Sequence, residues 1–483
     1  MAENFGDLVI VLPGILGSRL VRRMGDREVT VWDLSLRSLP RTLKEIADGG
    51  LVLHSSDGKP DDDVFAKELL NYQFLPGFFG IDDYAPLVQA LARAVNDPRQ
   101  LLTFPYDWRG SNRHAAQGLA DMALAALAAW RRSSGYSQAK LWLVCHSMGG
   151  LVARYFCETL GGAEVTRALI TMGTPHRGAM KALDKLVNGM SVLGVLDLTA
   201  LVRSLPSAYE LLPLYPAVLG TGSSGSPAMH RVADFFDLDP LSGTELAHTT
   251  GLERLPGIDP SRLRVALEFH QGIRGSAQAR WDAGEPSPYR MEAFFNRRQF
   301  TAASGVWHDG RLSVLNTLPR LAGGSHVEAD YRGDGSVPSF AAVPIEWTDT
   351  SDARAVPDKH AAIQCSASAV DSIVNWIRPH DVRELKGEPS SDRDVVALDV
   401  PPAGLSSDEI VVRVSALSMI NLTIEIQSIQ TGRSDTFAAR TPGEDGVAEI
   451  SLGRRAEGTY RVRAIPVDRR LPTVSDYTVV LEG

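Results

Sequence analysis

Cysteine is scarce: the 483-residue chain has three, Cys145, Cys157 and Cys365. An odd, sparse set supplies no disulfide framework and points to a reducing compartment. Basic charge is not in excess, with 49 Lys and Arg against 58 Asp and Glu and a net charge of −9. Nucleic acid, which favours a basic face, is therefore not an expected partner. No run approaches the roughly 20 apolar residues that span a bilayer. The greasiest segment, 190–205, is interrupted by Gly194, Asp197 and Arg203. The opening residues carry no basic n-region, and the apolar run Leu8 to Leu12 stops at Pro13-Gly14, too short for a signal h-region. These absences predict a cytoplasmic protein, with no signal peptide or transmembrane segment in the chain as given and at most peripheral, transient contact with a membrane. Metal-ligand spacings are missing as well. There is no Cys-x-x-Cys and no His-Glu-x-x-His, so neither a metal nor a cofactor is expected.

What is present is ordinary globular material, 44% hydrophobic and 22% charged, which excludes disorder, coiled coil and fibre. At about 150 residues per domain the length suggests about three domains. Composition draws a sharper line. All eight Trp, all eleven His and all three Cys precede residue 381. This predicts a first domain over 1–380, a linker over 381–392 that includes Lys386-Gly-Glu-Pro-Ser-Ser-Asp392, and an accessory domain over 393–483. In the accessory domain, alternating runs such as 410–417, 422–429, 447–452, 460–467 and 477–481 are separated by turn signals. Roughly seven short strands in about 90 residues read as an all-β sandwich, Ig-like in type. Whether it packs and stabilises or recognises a protein partner stays open at this level.

The first 380 residues alternate strands and helices. Leu8 to Leu12, Leu101 to Tyr106, Leu141 to Cys145 and Leu169 to Met172 read as strands, the third a continuous apolar run as expected when both faces are covered. A helix capped by Ser111 or Asn112 runs to Gly135, and another covers Met148 to Leu160. Such alternation means a mostly parallel sheet in an α/β domain. The rhythm breaks over about 176–297, which reads as a cap insertion, with Gln299 to Gly305 resuming the sheet.

The sharpest motif is Val144-Cys-His-Ser-Met-Gly-Gly150, placed between an apolar strand and an amphipathic helix. A serine at such an elbow is held on a strained turn, its hydroxyl off the sheet and near a helix N-terminus. Ser147 is the candidate nucleophile. Cys145, ending a strand, would face the core, where thiols are inert. An oxyanion needs backbone donors. The Met148 N–H supplies one. The loop Pro13-Gly-Ile-Leu-Gly-Ser18 offers the other, at Ile15, with Gly14 as the near alternative. A serine hydroxyl needs a base, and the base needs an orienting acid, in the chain order Ser, Asp, His. Asp334, between Gly333 and Gly335, fits the acid better than Asp330 or Asp349. Only His360 and His380 follow Asp334; His360, just before a helix, is the candidate base. His146 and His176 read as structural.

These residues resemble a family. The stretches Leu12-Pro-Gly-Ile-Leu-Gly-Ser-Arg19, Phe104-Pro-Tyr-Asp-Trp-Arg109, Cys145-His-Ser-Met-Gly-Gly-Leu-Val-Ala-Arg154, Met172-Gly-Thr-Pro-His-Arg-Gly178, Leu205-Pro-Ser-Ala-Tyr-Glu-Leu-Leu-Pro213 and Gly333-Asp-Gly-Ser-Val-Pro338 are similar to those of the lecithin:cholesterol acyltransferase-like lipases. That branch of the α/β-hydrolases includes lysosomal phospholipase A2 and phospholipid:diacylglycerol acyltransferases. The resemblance covers about 8–376 and leaves out the tail. It implies Ser147, Asp334 and His360 as a triad, an oxyanion donor at Ile15, a mobile cap and an acyl ester of a glycerolipid as substrate, with acyl transfer to an alcohol as a further capacity. Relatives usually carry Gly or Ala where Cys145 stands. Trp32, Tyr106 and Trp108 are candidates to line an acyl groove, or else core aromatics. Asp107 and Arg109 read as an ion pair rather than a head-group site. The apolar segment 192–205 reads as a lid or as a buried cap helix. The alternatives are a carboxylesterase or thioesterase on small or protein-linked acyl groups, and a non-catalytic scaffold.

Overall fold

Near-continuous apolar runs make the strands of a buried parallel sheet. The computed structural model describes residues 5–33, 38–54, 58–60, 63–70, 84–192, 196–221, 226–246, 251–322, 325–330, 332–347, 353–378, 395–401, 403–444 and 446–481. The sheet runs Arg354–Ala355, Arg290–Phe295, Thr166–Met172, Leu141–His146, Leu8–Leu12, Leu101–Thr103, every neighbouring pair parallel. Side chains alternate across it. Leu8, Ile10, Leu12, Leu141, Leu143 and Cys145 share a core with the helices Asn112–Ser134 and Met148–Thr159. Val9, Val11, Trp142, Val144, Ile170 and Met172 pack with the helices Ala85–Ala94 and Ala367–Ile377 on the other face. Helices on both faces explain why these strands carry so few polar residues.

The helix Asn112–Ser134 begins and ends where its local chemistry dictates. The Ser111 hydroxyl accepts from Arg113 N, and Gly135 closes the helix in the left-handed region at φ 81°. Its first turn also meets a buried carboxylate. Glu210 accepts from the Ser111 hydroxyl and from Asn112 N at 2.7 Å.

The sheet resumes earlier than the sequence suggests. The strand after the insertion is Arg290–Phe295, not Gln299 to Gly305, so the insertion ends before residue 290. Glu292 hid that strand by placing a carboxylate in the run. In the fold it is buried and paired with Arg290 and Arg354. Ser304–His308 belongs instead to a separate four-stranded sheet with Pro227–His230, Val218–Thr221 and Arg311–Leu315. The segment between the strands Thr166–Met172 and Arg290–Phe295 also contains the helix Pro260–Asp282, which packs on the helix Met148–Thr159. Within 192–205, the helix Thr199–Ser204 is seated on the core with Leu198, Leu201 and Val202 buried, while 193–195 lie outside the described residues.

After residue 395 the chain forms two further sheets. One orders Ala397–Asp399, Glu409–Ser415 and Val447–Arg454. The other orders Ala403–Leu405, Val474–Leu481, Gly458–Pro466, Asn421–Ser428 and Ser434–Arg440. Their inward residues, among them Val412, Val414, Ile424, Leu452 and Val462, form one core drawn only from this region, which makes the tail a β-sandwich. The expected linker 381–392 and His380 lie outside the described residues. Among the described residues no helix is long and apolar enough to cross a membrane.

Candidate active site

The strand Leu141–His146 turns directly into the helix Met148–Thr159, with Ser147 at the corner at φ 50°, ψ −125°. Such a backbone is strained for any residue but glycine and persists only where neighbours hold it. Ser147 N donates to Met172 O at 2.9 Å, and the Thr174 hydroxyl donates to Ser147 O at 2.8 Å. The helix can follow so closely because residue 149 is glycine: a Cβ there would lie 2.4 Å from Pro13 O.

Ser147, His360 and Asp334 come together at this corner. The Ser147 hydroxyl donates to His360 Nε2 at 2.9 Å, and His360 Nδ1 donates to Asp334 Oδ2 at 2.8 Å. The other Asp334 oxygen accepts from Ser336 N at 2.9 Å and Val337 N at 2.7 Å, which fixes the carboxylate plane. His360 N also donates to Asp334 O at 2.8 Å, so the two segments are joined by backbone as well as side chain. All three side chains are buried, Ser147 the most open at 5%. Of the rival acids, Asp349 and the Asp330 side chain lie outside the described residues.

The Pro13–Ser18 loop stands over the elbow. Gly14 N already donates to the Tyr84 hydroxyl at 2.8 Å, which removes Gly14 as the oxyanion donor. The N–H groups of Ile15 and Met148 have no acceptor among the described residues. Trp32, Tyr106 and Trp108 are buried in the core, as the second of the two readings has it, and each is hydrogen-bonded to this loop. Trp32 Nε1 donates to Leu16 O at 3.1 Å, the Tyr106 hydroxyl to Pro13 O at 2.9 Å and Trp108 Nε1 to Ser18 O at 3.3 Å. Large aromatics with one polar atom suit that duty, because burial requires the polar atom to find a partner. Asp107 and Arg109 form a bidentate buried pair.

His146 does more than the sequence indicated. Its Nε2 lies 3.0 Å from His360 O and its Nδ1 2.8 Å from the Tyr84 hydroxyl. A carbonyl only accepts, so Nε2 carries the proton and Nδ1 accepts from Tyr84, whose oxygen in turn accepts from Gly14 N. One directed chain thus links the Pro13–Ser18 loop to His360. Burial first, then the neighbouring His360, pulls the His146 pKa down to about 3 and keeps the ring neutral. Sequence spacing carried no signal for Tyr84. Gly173 was also missed as a site residue. It sits at φ +63°, and a Cβ there would lie 2.9 Å from Asp334 Oδ2 and 3.0 Å from His360 Nδ1. Cys145 is fully buried, with its thiol pushed well above the ordinary range by burial, which leaves it unreactive. His176 is buried 3.3 Å from the Thr171 hydroxyl and away from the relay.

A buried parallel sheet with helices on both faces and a strand–serine–helix elbow is the α/β-hydrolase fold. Within that class, residues 68–233 match the family model of lecithin:cholesterol acyltransferase, which bears out the family resemblance over that stretch. The stretch includes Ser147 and stops short of Asp334 and His360. No curated protein is similar enough to match. Among solved structures, the chain is similar to the lipase BlEst2 of Bacillus licheniformis in propeptide form at 9% identity, over 99% of this chain and 94% of that one, with a TM-score of 0.35. It is also similar to phospholipase PlaB of Legionella pneumophila in complex with thio-NAD at 9% identity, over 98% and 89%, with a TM-score of 0.19. A PKD domain of an M14-like peptidase from Thermoplasmatales archaeon SCGC AB-540-F20 matches 18% of this chain over 93% of its own length at 14% identity, with a TM-score of 0.14.

Proposed function

We propose that the protein is a serine lipase or phospholipase that cleaves acyl esters of glycerolipids through an acyl-enzyme on Ser147. The hydrogen-bonded order Ser147–His360–Asp334, with spacings of 2.9 and 2.8 Å, carries the proposal. His360 Nε2 takes the Ser147 proton as the oxygen attacks the acyl carbonyl, then returns it to the leaving alcohol. Asp334 orients the ring and stabilises the imidazolium. The N–H groups of Ile15 and Met148 receive the oxyanion, a contribution worth about 3 kcal/mol per donor in comparable sites. Water, or an alcohol acceptor, then releases the acyl group by the same steps in reverse. Similarity to lecithin:cholesterol acyltransferase over 68–233 supports a lipid acyl ester as substrate and leaves transfer open beside hydrolysis. Because Ser147 is buried, an ester reaches it only when the chain around it moves.

The test is a panel of phospholipid vesicles, triglyceride emulsions and short-chain esters, with products read by mass spectrometry. Release of fatty acid and lysolipid by the wild type, absent in Ser147→Ala, is expected. Rapid turnover of short esters with inert vesicles would favour a carboxylesterase or thioesterase.

A further inference from the structure

Among the described residues, contacts at Gln299, Arg332 and Lys359 join the tail to the segments that carry Asp334 and His360. Buried Gln299 pairs by backbone with Gly333 in both directions, at 2.9 and 3.0 Å, one residue before the acid. Its side chain reaches the other way: Nε2 donates to Val396 O at 3.1 Å, and Oε1 accepts from Leu398 N at 2.9 Å. Arg332, two residues before Asp334, donates to the buried Ser415 hydroxyl at 3.1 Å and lies 4.8 Å over the Phe300 ring, which Arg413 approaches at 6.0 Å. Lys359, adjacent to His360, forms an ion pair with Asp476 on the strand Val474–Leu481. Among the described residues no hydrogen bond runs from the tail to the elbow residues 144–150.

The distribution has a physical reason. Ser147 is held by two central strands of the sheet. The acid and base sit on irregular segments beyond the sheet edge, where the last strand, Arg354–Ala355, has two residues. Ordering such a segment costs about 1–2 kcal/mol per residue, so it needs anchors from outside. The first domain supplies some: Asn296 Nδ2 donates to Pro357 O at 2.7 Å, and Gly335 N donates to the Thr301 hydroxyl at 2.9 Å. The tail supplies the rest.

We infer that the C-terminal β-sandwich is part of the catalytic unit, with Gln299, Arg332 and Lys359 acting as positioning residues through which Val396–Leu398, Ser415 and Asp476 hold the acid and base in register with Ser147. The inference rests on the serine-esterase proposal. It means that the tail is coupled to turnover of every substrate, short esters included, and is not a detachable recognition module.

The experiment uses full-length protein and a p-nitrophenyl short-chain ester. Wild-type turnover tests the underlying proposal first: with none, that proposal fails, whatever the tail does. Given turnover, Asp476→Asn and Ser415→Ala are compared with wild type, together with the swapped pair Lys359→Asp/Asp476→Lys. A displacement of about 1 Å at a reacting group costs up to about 100-fold. The expected result is a fall in kcat of about tenfold in each single variant with KM within about twofold, and recovery of most of the loss in the swapped pair. Circular dichroism and melting temperature establish folding of each variant, and Ser415→Ala, which removes one oxygen, gives the reading if the charge variants do not fold. Unchanged kcat in folded variants would overturn the inference, as would a swapped pair that folds but stays as slow as Asp476→Asn.

Discussion

Gly173 shows how tightly the candidate site constrains single residues. Both the positive φ and the position of a missing Cβ against Asp334 and His360 exclude a side chain there. Gly173→Ala should therefore push the acid and base apart and lower kcat by about 100-fold while the fold survives, measured by steady-state ester hydrolysis beside a melting curve. An alanine variant within twofold of wild type would show that the relay tolerates displacement. At this scale the sequence was informative for Ser147 and Asp334, because each lies in a short motif whose neighbours restrict the backbone, and for His360, because only it and His380 follow Asp334. It was silent on Tyr84 and ambiguous on His146. Their hydrogen bond spans 62 positions and depends on how two elements meet. The three aromatics near the oxyanion loop were ambiguous for a related reason. Composition places them near the site, but only geometry separates a support from a groove wall.

Elements were legible where their start and stop signals are local. Leu8–Leu12 and the helix from Asn112 to Ser134 could be read residue by residue from apolar runs, a serine cap and a glycine stop. The strand Arg290–Phe295 was not, because the partners that neutralise Glu292 include Arg354, 62 residues away. The tail strand Ser434–Arg440 is not among the alternating runs named from the sequence, since it lies at a sheet edge, mostly exposed, and needs little apolar alternation. Glu210 marks another long-range dependence, since a carboxylate 98 positions on completes the start of the helix Asn112–Ser134. Glu210→Ala leaves the Ser111 hydroxyl and Asn112 N without that acceptor and should destabilise the fold by about 1–3 kcal/mol in denaturant melts. Glu210→Gln, which keeps an acceptor, should cost less. Equal losses for the two would mean that the cap bonds contribute nothing beyond packing.

For the whole molecule, buried histidines set the response to acid. Burial lowers the pKa of His146 to about 3, that of His270 to about 4 and that of His176 well below its ordinary value. Below about pH 6.5 the unfolded chain binds protons that these folded sites refuse, so stability falls as the pH drops from 6.5 toward 4. Glu210 acts the other way. Burial raises it to about 7, so its contribution favours the folded state below the ordinary carboxylate range and is lost as the pH rises toward 7. Asp358, also raised by burial, acts in the same sense as Glu210, and the three histidines outweigh the two carboxylates, each group worth at most about 1.4 kcal/mol per pH unit. Melting temperature should therefore drop between pH 6.5 and 4.5, less steeply in His270→Gln; a flat profile would contradict this balance. The β-sandwich was legible as a separate core from its alternation. Its grip on Lys359 and Arg332 was not, since single polar side chains on loops announce no partner.

The central claim is that Ser147 is the nucleophile of the hydrogen-bonded relay. Intact-mass spectrometry after exposure to an alkyl fluorophosphonate tests it most directly. One adduct per chain, mapped to the peptide holding Ser147 and absent from Ser147→Ala and strongly slowed in His360→Ala, is predicted. An adduct that persists in Ser147→Ala, or a wild-type chain that stays unlabelled while folded, would contradict it.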